Sequence, residues 1–227
     1  MYRGMTHLVC LVVVALLVVG SLLMSTEVAP ATAVTSAVMT RAGQGCTLVG
    51  TDGNDRIRGT ERRDVICGLG GRDRITGRGG SDVIIAGGGG DDVHGGYGMD
   101  VLLGGQGSDQ LKAGRSDDWL FGGPDSDSYL VGGGGADVLR GNAGHEHMFG
   151  NNGADRISGG LGNDRFASGG AGPDLIRGGE GADRCLDGRD GMGTDRIRGG
   201  QGNDQYVADP GDSARSAKWT NHCPAPS

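Results

Sequence analysis

One acidic residue in every ninth position constrains this chain more than any other feature. Between residues 50 and 207 the acid returns at Asp55, Asp64, Asp73, Asp82, Asp91, Asp100, Asp109, Asp118 and Asp127 without a break. One inserted residue then shifts the register to Asp137, Glu146, Asp155 and Asp164. A second insertion leads to Asp174 and Asp183, and three more residues to Asp195 and Asp204. That makes 17 blocks of nine, 16 with Asp and one with Glu in the same place. Chance does not produce this when acids are 28 of 227 residues.

With the acid numbered as position 6 of its block, two more places obey a rule. Position 4 is Gly in 14 of the 17 blocks, the exceptions being Arg62, Ser116 and Asp125. Position 8 is apolar or aromatic throughout, from Ile57, Ile66, Ile75 and Ile84 to Ile197 and Tyr206, with Cys185 the smallest. Gly makes up 50 of 227 residues, against a usual share of roughly 7 %, and aromatic residues are only 4 %. Such a composition cannot fill a broad core. Repetition supplies the alternative: a fixed period with one inward apolar residue per unit is the signature of a solenoid. Positions 7 to 9 predict a short strand whose middle residue faces in. The glycines supply the turns between strands. The fold class is therefore all-β.

The blocks GGYGMDVLL (95–103), GGQGSDQLK (104–112) and GGLGNDRFA (159–167) resemble the glycine-rich nonapeptide of RTX (haemolysin-type) calcium-binding proteins. The resemblance covers residues 50–207. It implies a right-handed parallel β-roll with two blocks per coil. It also implies Ca²⁺ ions in the turns, held by the 17 position-6 carboxylates and by turn carbonyls of neighbouring coils. The physics is compatible with that picture. Ca²⁺ takes about six to eight oxygen ligands, and a Gly-rich turn offers carbonyls without side-chain obstruction. Coils of two blocks would stack Asp82 beside Asp100 and Asp91 beside Asp109, at the ~4.8 Å spacing of strands. Like charges so close repel unless a cation lies between them. The competing reading, a solvated acidic face, requires no acid in every ninth position.

Charge is uneven along the repeats. Residues 82–131 hold nine acids against Lys112 and Arg115, a net −7 equal to that of the whole chain. The flanking blocks place Arg56, Arg74, Arg156, Arg165, Arg184 and Arg196 at position 7, next to the acid. A guanidinium there would compete with a divalent cation. The expectation is tightest calcium binding across residues 82–137.

The N-terminus follows another logic. Arg3 precedes an almost wholly apolar run from Leu8 to Met24, and Ala29, Ala31 and Ala33 follow with A-x-A spacing. This is the pattern of a secretory signal peptide cleaved after Ala31 or Ala33. An uncleaved membrane anchor is the other reading, since the run is near the lower length for a span. The division that follows is a signal peptide at 1–33, an N-terminal cap segment at 34–49, the β-roll at 50–207 and a C-terminal cap tail at 208–227.

Export agrees with the cysteines. Cys10 would leave with the signal peptide, and Cys46, Cys67, Cys185 and Cys223 remain, an even count that suits disulfides outside the cell. Cys46 and Cys67 lie 21 residues apart, close to one coil, which favours that pair and leaves Cys185 for Cys223. Cys185 at position 8 also reads as a buried free thiol.

No enzyme motif is found: H-E-x-x-H, G-x-S-x-G and G-x-x-x-x-G-K-[ST] are all missing from the sequence. His145-Glu146-His147 lies in positions 5 to 7 of one block and reads as a variant turn. A pI near 5.1 and the lack of a basic aromatic patch argue against nucleic acid. Three classes are weighed. The first is a secreted calcium-binding structural protein that folds on Ca²⁺, because one inward side chain per nine ordered residues is a thin return against backbone entropy. The second is a calcium-dependent adhesion or partner-binding module at the cell surface. It draws on apolar triplets at Val101-Leu102-Leu103, Trp119-Leu120-Phe121 and Tyr129-Leu130-Val131, unless neighbouring coils shield them. The third is an enzyme, for which the about 16 residues between the signal peptide and the first block (34–49) leave no room.

Overall fold

The computed structural model describes residues 45–191 and 194–220. The candidate signal segment, most of the 34–49 cap and Cys223 lie outside the described residues. Those described form twenty short strands, from Leu48–Val49 to Lys218–Trp219, and no helix. Consecutive strands alternate between two ten-stranded sheets, so each strand pairs with the next but one along the chain. Every pairing is parallel. Val83–Gly88 lies on Val101–Gln106 with Ile84 beside Leu102, and Asp92–Tyr97 lies on Gln110–Arg115 with Val93 beside Leu111. Each pairing joins residues two blocks apart, which confirms the parallel β-roll with two repeats per coil.

The core is one file of side chains along the axis. Ile66, Ile75, Ile84, Val93, Leu102, Leu111, Leu120 and Leu139 are all fully buried there. They come from alternate sheets, so the two inner faces interdigitate. Two Ala residues at position 1, Ala86 and Ala113, join the same file. Position 1 follows position 8 by two residues, and side chains two apart on a strand share a face.

The two single-residue insertions fall directly after the acid, whereas two of the three residues inserted between Asp183 and Asp195 lie in the turn that follows Leu186–Gly188. Ser128 and Tyr129 both donate to the Asp109 carbonyl, at 2.9 and 3.5 Å; Arg165 and Phe166 both donate to Glu146, at 3.1 and 3.4 Å. Two residues facing one is the geometry of a bulge. Its effect corrects the position-8 rule. In these blocks, and in that of Asp183, the inward residue is Leu130, Ala167 or Leu186, one place later. Cys185 is thereby rotated out of the axial file into an outer cluster with Phe166 and Val207. It is disulfide-bonded, so it is no buried free thiol. The Cys46–Cys67 disulfide forms as expected, with Cα atoms 6.0 Å apart.

The outward apolar triplets do not make an open patch. Leu102, Leu120 and Leu130 face inward. Val101 and Leu103 stack in the outer face with Val83, Ile85 and Cys67, at 9 % and 5 % exposure, flanked by Trp119 and Phe121. The shielding reading accounts for the first two triplets, and in the other sheet Tyr129 is covered by ring contacts with His147 and Phe149. Paired strands also run past the 50–207 span at both ends, at Leu48–Val49 and at Ser213–Arg215 and Lys218–Trp219. Among the described residues no helix is long and apolar enough to cross a membrane.

Candidate functional site

Each position-6 acid stands just before a strand, where the chain enters the sheet from a turn, with one or two residues intervening only after Asp127, Asp164 and Asp183. From Asp73 to Asp204 all are at most 2 % exposed, while Asp64 is at 7 % and Asp55 is half-buried. The solvated-face reading fails on this observation. The coil repeat sorts the acids into two ladders, one along each edge of the roll. One runs Asp55, Asp73, Asp91, Asp109, Asp127, Glu146, Asp164, Asp183, Asp204. The other runs Asp64, Asp82, Asp100, Asp118, Asp137, Asp155, Asp174, Asp195.

Within a ladder the rungs are hydrogen-bonded through the backbone. The N–H of Asp82 donates to Oδ1 of Asp100 at 2.8 Å, that of Asp91 to Asp109 at 2.8 Å, and that of Asp137 to Asp155 at 2.7 Å. From Asp73 onward one carboxylate oxygen of each ladder Asp is thus used to register the coils, Glu146 being the exception. The other is left over. Oδ2 of Asp73, Asp82, Asp91, Asp100, Asp109, Asp118, Asp127, Asp137, Asp155, Asp164, Asp174, Asp183, Asp195 and Asp204 is buried and accepts no hydrogen bond. Neither carboxylate oxygen of Glu146 accepts one either. Native proteins pair nearly all their buried polar atoms, so a row of orphaned carboxylate oxygens needs a physical explanation.

Backbone oxygens converge on the same places. A Cβ added at Gly104 would strike Asp109 Oδ2 and lie 2.7 Å from the Gly122 carbonyl oxygen of the next coil. At Gly77 the same cradle is formed by Asp82 Oδ2 and the Gly95 carbonyl, and at Gly95 by Asp100 Oδ2 and the Ala113 carbonyl. The turns themselves need left-handed backbone. Gly107 has φ 109°, and a side chain there would also strike the Gly89 carbonyl. Among the described residues no three His, Cys, Asp or Glu side chains converge into a metal cage. A cation would therefore be held by orphaned carboxylate oxygens together with carbonyls. That all-oxygen set suits a hard ion such as Ca²⁺ and offers nothing to a thiophilic one.

The electrostatics are those of buried like charges. Burial is the main cause that pushes Asp91 and Asp155 up to about 6, Asp100, Asp127 and Asp137 to about 7, and Asp109 and Asp118 to about 8. The ladder N–H bonds pull the other way, and neighbouring carboxylates add repulsion. Glu146 is pushed well above the usual carboxylate range by burial and by the Asp164 carboxylate that it faces. The arginines at position 7 do not enter this balance. Arg56, Arg74, Arg156, Arg165, Arg184 and Arg196 are all exposed. Among the described residues no ion pair joins any of them to a ladder acid. Arg74 instead meets Asp92 at 3.0 Å on the outer face. Side chains alternate across a strand, which separates position 7 from the turned-in acid before it. The supposed guanidinium competition has no contact behind it.

Three residues that the repeat rule passed over belong to the ladders. Asp212 continues the second ladder, its Oδ1 accepting from the Asp195 N–H at 2.9 Å while Oδ2 accepts from the Asp209 N–H at 2.7 Å. It stands eight residues after Asp204 and is followed by a small inward residue, Ala214, so the period hides it. Thr51 and Thr60 stand at position 2 of the first two blocks, and each donates to the Oδ2 of its own ladder acid. Their signal was legible: a G-T-x-x-x-D pattern that no later block has.

The family profile of the RTX calcium-binding nonapeptide repeat matches residues 49–84, 68–96, 94–129, 131–166, 166–186 and 189–213. No curated protein matches the chain.

Proposed function

We propose that this chain, which belongs to the RTX calcium-binding nonapeptide repeat family, is a secreted structural protein that folds when Ca²⁺ binds, and is not an enzyme. The observation that carries the reading is the row of buried, unpartnered Oδ2 atoms along both edges of the roll. Bound Ca²⁺ would supply positive charge at those oxygens. The chain's own residues do the rest. Asp73 to Asp204 present one free carboxylate oxygen per turn, position-1 carbonyls close the cradle, and the ladder N–H groups hold each carboxylate in place.

Burying these carboxylates ionised and uncompensated would oppose folding. An ion that binds only the folded roll stabilises it by mass action. Extracellular calcium sites typically bind at roughly 10⁻⁴–10⁻³ M, so the chain would remain unfolded at cytosolic calcium and fold after export. Secretion is supported by the N-terminal A-x-A pattern and by the Cys46–Cys67 disulfide. The pairing of Cys185 with Cys223 belongs to the same proposal. Adhesion is less favoured, because the apolar strip that suggested it is shielded by its own neighbours.

Titration calorimetry of the mature chain tests the reading. The expected result is binding of several Ca²⁺ ions at millimolar or tighter affinity, with weak response to Mg²⁺, whose strict octahedral geometry suits carbonyl cradles poorly. Absence of calcium binding would refute it.

A further inference from the structure

The first two rungs are built differently from the rest. Thr51 donates to Asp55 Oδ2 twice, from its N–H at 2.6 Å and from Oγ1 at 2.9 Å. Thr60 does the same for Asp64 Oδ2, at 2.7 and 2.9 Å. These two are the ladder acids before Asp73, and neither Oδ2 is orphaned. The backbone differs as well. Position 2 is left-handed at Leu69, with φ 81°, and at Arg78, with φ 86°, in the next two blocks, whereas Thr51 and Thr60 are not. A β-branched residue resists positive φ. With ordinary φ the turn aims its own N–H and hydroxyl at the carboxylate, as a short side-chain-to-backbone turn motif does.

We infer that Thr51 and Thr60 determine which slots take calcium: they close the Asp55 and Asp64 sites with protein donors, and cation binding starts at Asp73. This rests on the calcium-binding reading above. Two hydrogen bonds to one carboxylate oxygen occupy the lone pairs that a cation would need. A closed pair of rungs also gives the roll an end that needs no ion. The Cys46–Cys67 disulfide staples that same coil to the next, with Val65 N–H donating to Thr47 Oγ1 at 2.9 Å between them. Solenoids require such terminal caps. The first coil thereby offers the first calcium-bearing coil a finished edge to build on.

The test counts bound ions by titration calorimetry and native mass spectrometry at saturating Ca²⁺. Wild type comes first; a count of zero would sink the calcium reading itself and not this inference alone. Asp55→Asn with Asp64→Asn is expected to keep the wild-type count, whereas Asp100→Asn with Asp109→Asn is expected to lower it. A lower count from the first pair overturns the inference. Thr51→Val with Thr60→Val removes only the hydroxyls and guards against a folding failure of the Asn pair. It is expected to keep the count and to lower the melting temperature in calcium, with Ser at both places restoring it. Loss of ions from the valine pair would mean that the hydroxyls are calcium ligands, and would overturn the inference equally.

Discussion

A ladder carboxylate does two jobs with its two oxygens. Oδ1 of Asp109 satisfies the N–H of Asp91, and Oδ2 faces the cradle at Gly104. Removing the side chain therefore has two costs. Asp109→Ala leaves a buried donor without an acceptor, worth about 1–3 kcal/mol, and on the proposed reading would also delete a cation ligand. Asp100→Ala should behave alike through Asp82. Both are expected to raise the calcium midpoint of folding several-fold, read by circular dichroism. Asp52→Ala, at an exposed site outside the ladder, should shift it little. Protons act on the same atoms. Folded Asp100, at about 7, and Asp109 and Asp118, at about 8, lie above the ordinary 3.8. In the calcium-free chain the folded form thus binds more protons than the unfolded one. The stabilisation is fully present below about pH 4 and is lost as pH rises through about 7 to 8. Calcium-stripped protein should therefore gain β-signal on going from pH 8 to pH 5, while the calcium midpoint should rise, because protons compete for the ligands. The period alone identified these acids. It missed Asp212, Thr51 and Thr60, because they act through backbone donors and turn shape rather than through the repeated letter.

At the scale of the strand and its turn, period and geometry agree where the blocks are regular. Positions 7 to 9 open strands, position 8 faces in, and position 1 returns to the same face. The sequence reading failed where an extra residue entered. Spacing shows that a residue is inserted between Asp127 and Asp137 but not where. Hydrogen bonding decides it: the ladder fixes the acid and the axial file fixes Leu130, so the surplus is absorbed between them as a bulge. The same displacement moved Cys185 to the outer face, where a disulfide can reach it. Turn conformation was legible in kind but not in partner. Gly107 is left-handed and lies under the Gly89 carbonyl. Gly107→Ala should cost at least about 1–2 kcal/mol from its φ alone, with the clash added. The expected readout is a clear rise in the calcium midpoint, whereas Ser116→Gly, at the left-handed φ of 83° in the corresponding place, should lower it.

Over the whole molecule, stability is a sum of nearly identical coils, each touching only its neighbours. One file of aliphatic side chains runs the length of the roll, and two files of buried acids flank it. The axial file favours folding, and the acid files oppose it until their charge is met. On the proposed reading, that opposition would make calcium a condition of the fold. It also predicts a cooperative transition, since each site is shared between adjacent coils. The overall architecture was legible because repetition multiplies a weak local signal seventeen times; of the ends only the Cys46–Cys67 staple was, because caps depart from the repeat by necessity. The central claim is tested most directly by far-UV circular dichroism and small-angle X-ray scattering of the mature chain, in millimolar Ca²⁺ and then in excess chelator. The account predicts parallel loss of β-signal and compactness on chelation, reversed when calcium is restored. A chain that keeps both in excess chelator at neutral pH would contradict it.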